Sequence, residues 1–177
     1  MIRRTTLTLT IVALLSMAIA LQASDAAAQQ KQHVSYKTTA ANSKYTQQNV
    51  IDVGDVPDHQ VRIYEIHRTY PTNPPVINGL KLAEQWTRGT SDYIDNNGTS
   101  TTYGVYVLEN GDKFFVRSSL VAQSGVPGKL TNSVIGIITG GTGKLAGIQG
   151  IVRSSGTAEP KAGLNDNSTD IDYSIGK

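Results

Sequence analysis

Beyond residue 60, apolar and polar side chains alternate with period two in short runs broken by turn residues. That is the signature of half-buried strands, not helices. Residues 61–69 put Val61, Ile63, Glu65 and His67 on one face and Arg62, Tyr64, Ile66 and Arg68 on the other. Residues 79–87 put Leu80, Leu82, Glu84 and Trp86 opposite Lys81, Ala83, Gln85 and Thr87. An apolar face backed by a polar one predicts an antiparallel sheet with one wet side. The apolar faces carrying Val61, Ile63, Leu80, Leu82 and Trp86 are taken as the inner ones. Further strands are expected at 89–94, 100–109, 112–119, 134–139, 147–155 and 170–175. Between them lie turn signals: Asn96-Asn97-Gly98, the hairpin dipeptide Asn110-Gly111, and loops at 124–132 and 157–168. Pro71, Pro74 and Pro75 make 70–78 a rigid connection.

Eight antiparallel strands with hairpin links fit a closed barrel whose interior is either filled by side chains or surrounds one small ligand. A two-sheet sandwich is the alternative. The stretch from Ile137 to Gly150 reads as a strand, a glycine corner at Gly140, Gly141 and Gly143, and a new strand. It is not a phosphate loop. Ile138 stands where the leading glycine belongs, and Leu145, not Ser or Thr, follows Lys144.

Composition adds the compartment. The chain has 177 residues. Arg3 and Arg4, an apolar run from Leu7 to Leu21 and Ala26-Ala27-Ala28 form the layout of a signal peptide over residues 1–28. The expected product is exported, periplasmic or secreted, with no stable membrane insertion after cleavage. Residues 29–49 are rich in Gln, Thr, Ser and Lys and read as a flexible leader. Residues 50–177 then form the barrel domain, within the ~150 residues that suit one core. There is no cysteine, which excludes thiolate chemistry. Lys and Arg number 16 against 14 Asp and Glu, and they are scattered, so nucleic acid is not an expected partner.

The segment Tyr64-Glu65-Ile66-His67, with Asn73-Pro74 following, resembles the first strand and loop of plant allene oxide cyclases, which show Tyr-Glu-Ile-Asn and Ser-Pro there. The corner Ile138-Thr139-Gly140-Gly141-Thr142-Gly143 resembles the late glycine segment shared by those cyclases and dirigent proteins. The resemblance runs from about Val56 to Val152. It implies an eight-stranded calycin-like barrel, often a homotrimer, with an apolar lumen and no cofactor. The cyclases hold a fatty-acid-derived epoxide while its ring closes, and dirigent proteins steer phenolic intermediates.

Carried over by motif, the pocket residues of the cyclases fall on Glu65, His67, Asn73, Pro74, Glu84 and Ser91, with only the Glu and the Pro identical. Glu65 and His67, two apart on one strand face, are the expected catalytic pair. Asn73, Pro74, Leu82, Glu84, Trp86 and Ser91 are the expected substrate-binding residues. The competing reading leaves these acids satisfied by hydrogen bonds and doing no chemistry. No metal is expected, because the three His residues, 33, 59 and 67, form no two-His motif. The expected function is binding of a small apolar or amphipathic molecule in the lumen, with isomerisation or cyclisation as an added activity. A non-catalytic envelope barrel, or a steering protein without turnover, is the alternative.

Overall fold

The computed structural model describes residues 30–176. The expected signal peptide lies outside them. The described chain is all-β: β1 (Gln32–Thr38), β2 (Ser43–Asp52), β3 (His59–Thr69), β4 (Val76–Ile77), β5 (Leu80–Ile94), β6 (Asn97–Leu108), β7 (Lys113–Val126), β8 (Lys129–Gly141), β9 (Ile148–Glu159) and β10 (Leu164–Ile175). All pairings are antiparallel, in the order β1-β10-β9-β8-β7-β6-β5-β3-β2, with the short β4 on β5. The ladder does not close, since β1 and β2 stand at its two ends without pairing to each other. Those ends are nonetheless joined by the turn at Ala40–Asn42. Side chains bridge the seam: Arg68 of β3 donates to Asn165 of β10 at 2.8 Å, and the Ala40 amide donates to Asp166 at 2.7 Å. Among the described residues no helix is long and apolar enough to cross a membrane.

Ten strands replace the eight expected. Three are new: β1 and most of β2 lie in the stretch read as a leader, and the short β4 falls in the connection expected at 70–78. β1 pairs along its whole length with β10, and β2 pairs with β3 through a bulge between Tyr45 and Gln47. Their polar composition hid them. These are strands held by ladder hydrogen bonds, with few buried side chains of their own. The strand expected at 89–94 is not separate but the second half of the 15-residue β5.

Other local signals match the structure. Gly111 has φ +86°, and its amide bonds the Leu108 carbonyl at 2.8 Å, closing the β6–β7 hairpin. The glycine corner separates β8 from β9 around a turn at Gly143–Leu145, which drives Leu145 fully into the core. Gly143 has φ +53°, and a Cβ there would strike the carboxylate of Asp112, so the position needs glycine on both counts.

Which face points inward differs from the reading by hydropathy. On β3, Val61 and Ile63 are 37% and 58% exposed, whereas Arg62 and Arg68 are 8% and 7% exposed. Arg62, Tyr64, Ile66 and Arg68 therefore form the inner face, and Glu65 and His67 point outward. The physical reason is that long arginine stems and phenol rings reach across the interior, where short branched side chains would leave it empty.

On β5, a bulge between Leu82 and Glu84 inserts one extra residue against β6. It flips the alternation, so Leu82 points in but so does Gln85, and Glu84 and Trp86 turn out. One end of the interior is a dense apolar floor of Leu82, Leu108, Phe114, Ile171 and Tyr173. A smaller cluster of Tyr93, Ala122, Leu130 and Ala158 sits apart from it.

Candidate functional site

Nine strands contribute inner side chains to one cavity of about 90 Å³. Its apolar wall includes Ile66, Val116, Leu130, Val134 and Val152. Its polar wall carries Arg62, Arg68, Gln85, Ser91, Asn132 and Asn165, together with the hydroxyls of Tyr64, Tyr93 and Tyr106. No Asp, Glu or His lines it.

Several of these polar groups are tied down. Arg68 donates to Thr87 Oγ1 and to Asn165 Oδ1, both at 2.8 Å. The Tyr64 hydroxyl pairs with Ser100 Oγ at 2.8 Å, and Tyr70 donates to Gln85 at 2.8 Å. Others are not: Arg62 Nε, Ser91 Oγ and Asn132 Oδ1 are buried without a hydrogen-bond partner. Unpaired buried polar atoms are uncommon in native proteins, and each calls for an explanation. Burial pushes the phenols of Tyr64, Tyr93 and Tyr106 up, so they stand in the cavity as neutral hydroxyls.

The expected site residues divide between the two faces of the sheet. Ser91, 3% exposed, does line the cavity. Leu82 belongs to the apolar floor and is fully buried in it. Asn73, at φ +48°, and Pro74 sit in the connection between β3 and β4 and do not line the cavity. Glu65, His67, Glu84 and Trp86 are brought together, but outside, on the solvent face of β3 and β5. There His67 Nε2 lies 2.8 Å from Glu84 Oε2, and its ring stacks on Trp86 with centroids 4.0 Å apart. Arg88 lies over the Trp86 ring at 5.4 Å and reaches Glu65 Oε2 through its Nε at 2.7 Å. Thr46, the bulge residue of β2, donates to Glu65 Oε1 at 2.7 Å.

The expected position of the Glu65–His67 pair, facing the interior, is thus corrected. Glu65 is held by Arg88 and Thr46, His67 by Glu84, and neither faces the cavity. The grouping itself was legible from β3–β5 adjacency, but its side of the sheet was not. Arg62, Arg68 and Asn132 were missed as site residues, because arginine on a strand reads as a solvent-facing position.

A second His constellation lies at the sheet's edge. His59 contacts Asp55 through Nδ1 at 2.6 Å and Asp92 through Nε2 at 2.8 Å, linking the β2–β3 loop to β5. These hydrogen bonds, that to Asp92 first, raise the His59 pKa above the ordinary imidazole value. Among the described residues no group of three or more His, Cys, Asp or Glu side chains is arranged to hold a metal ion.

No protein-family model matches the chain, and no curated protein does either. The functional reading is therefore carried by the cavity and its lining.

Proposed function

We propose that this protein is an exported, calycin-like β-barrel that binds a small amphipathic molecule in its lumen without acid–base turnover. The observation that carries this reading is the cavity enclosed by nine strands, half apolar and half lined by buried polar atoms, three of which lack partners. A protein-filled core has no use for unpaired Arg62, Ser91 and Asn132, whereas a ligand with polar groups at one end supplies their partners. Closure into a barrel is supported by the seam from Arg68 to Asn165 and from Ala40 to Asp166.

Binding or steering is favoured over isomerisation because the acids and imidazoles of the expected site stand on the outer face. The lumen offers only neutral phenols, amides, hydroxyls and guanidinium groups. It can orient a reactive molecule, as the dirigent-like resemblance implies, but it holds no proton acceptor of ordinary basicity. Assembly as a homotrimer belongs to the same reading.

The test is native mass spectrometry of the purified protein, with solvent extraction and identification of any bound molecule. Retention of a small molecule by the parent and equally by Glu65→Gln and His67→Gln is the expected result. Absence of any bound or bindable small molecule would sink the proposal. Loss of binding or turnover in Glu65→Gln would restore the catalytic alternative.

A further inference from the structure

Arginine does not lose its proton inside a protein, so a buried guanidinium must find its compensation elsewhere. Arg62 and Arg68 are both more than nine-tenths buried on the inner face of β3. Neither forms an ion pair with any described residue; the eight such pairs are made by other side chains. The two differ in how far neutral groups satisfy them. Arg68 has two good acceptors in Thr87 and Asn165. Arg62 has only a long contact to Gln60 Oε1 at 3.4 Å, and its Nε has none.

The position of Arg62 is equally specific. It lines the cavity and also two recesses outside it, of about 210 and 410 Å³, so it stands where the lumen meets the surface. Asp58 and Asp95 share the first of these recesses with it, and Asp52 the second, but none of the three lines the lumen. Lys161 adds another cation to both recesses. On the lumen side, the register sets Arg62 directly opposite Ser91, whose hydroxyl is unpartnered.

We infer that the ligand is an anion: a small amphipathic carboxylate whose head pairs with Arg62 at the lumen mouth and takes a hydrogen bond from Ser91. Its apolar body lies along Ile66, Val116, Leu130 and Val152. This assignment rests on the lumen-binding function proposed above and adds the charge and orientation of the ligand. A guanidinium fork matches a carboxylate in shape, and a charge-assisted bond in a low-dielectric lumen outweighs a neutral one. The small volume favours a short acid over a long-chain lipid.

Isothermal titration of the parent protein with hexanoate, 1-hexanol and inorganic phosphate near neutral pH tests the inference. Hexanoate is expected to bind about tenfold or more tightly than hexanol. Phosphate, lacking the apolar body, is expected to bind weakly. Arg62→Gln should remove most of the preference for hexanoate while leaving hexanol affinity within about threefold. Its melting temperature should be no lower than the parent's, because an uncompensated buried charge has gone.

Equal binding of hexanoate and hexanol by the parent would overturn the anionic assignment and leave the lumen-binding function standing. Failure of both to bind would overturn the two together. Phosphate binding as tightly as hexanoate would overturn the amphipathic assignment. The parent comparison needs no variant, so misfolding of Arg62→Gln leaves the inference testable.

Discussion

At the scale of single residues, the interactions that hold charged groups here are mostly at the surface, and their consequences are small but signed. His59 is gripped by Asp55 and Asp92 on its two ring nitrogens. Its folded pKa is raised, so its protonated form is favoured in the native state more than in the unfolded chain. The stability this contributes is fully present below the unfolded value of about 6.5 and is lost as pH rises through the higher folded value. Melting temperature should therefore fall between weakly acidic and mildly alkaline pH in the parent, and His59→Gln should flatten that slope. A parent curve that stays flat, or rises, over this range counts against the contact.

Glu65→Gln belongs to the same scale. It breaks a pair on the outer face in which the Arg88 side chain is 53% exposed and the Glu65 side chain only 15%. A loss of about 1–2 kcal/mol is expected from thermal unfolding, because the carboxylate end is partly desolvated. A loss several times larger would mean that Glu65 is part of a buried network rather than an outer one.

At the scale of elements, what the sequence discloses depends on whether a local rule decides the outcome. Turn chemistry does: Asn110-Gly111 and the Gly140–Gly143 corner need backbone angles that few residues adopt, and both fall where expected. Strand existence for β3 and for β5 to β10 is likewise legible from alternation, whereas the two-residue β4 in the proline-rich connection is not. Face and count are not. Val61 and Ile63 look like core on hydropathy, yet the polar interior takes Arg62 and Arg68 instead. The bulge after Leu82 leaves no compositional mark, and a single inserted residue reverses every later side chain of β5. β1 and β2 are polar because they complete a ladder rather than fill a core.

Two predictions test this level. Gly143→Ala must relieve both a positive φ and a clash with Asp112, whose carboxylate is fixed by the Lys144 amide at 2.9 Å and by Asn110 at 2.8 Å. A destabilisation of about 1–3 kcal/mol is expected by denaturant unfolding. The double variant with Asp112→Ala should show less than the sum of the two single effects. Additivity would mean that the backbone angle alone is at stake. Removing residues 30–38 deletes β1, uncovers β10 and takes Val34 and Tyr36 off the core. The truncated chain should melt well below the parent. Equal melting temperatures would return this stretch to the status of a leader.

At the scale of the whole molecule, the exposed face of the sheet is less polar than its interior requires. The register aligns Tyr103 of β6, Arg117 of β7, Ile137 of β8 and Ile151 of β9 in one row across the outer face. Ile135 and Ile137 are each 58% exposed and Tyr103 is 56% exposed. Arg117 lies over the Tyr103 ring at 6.0 Å, leaving the isoleucines uncovered. An exposed row that is apolar at three of its four positions, broken by Arg117, is the kind of surface a partner covers. The proposed homotrimer would cover it, with copies arranged head to tail around a three-fold axis in a closed ring. Tyr64 and Ile66 of β3 are buried inside and offer no such surface, so the proposed contact falls on β6–β9. Light scattering coupled to size exclusion should give a mass of three chains for the parent and of one chain for Ile137→Asp, which sets a charge in the middle of the row. Because the row lies on the opposite face from the lumen, the Ile137→Asp monomer should still bind hexanoate. A parent that runs as a monomer at micromolar concentration removes the trimer. An Ile137→Asp chain that loses both assembly and binding would mean that the ring, and not the single chain, holds the cavity in shape.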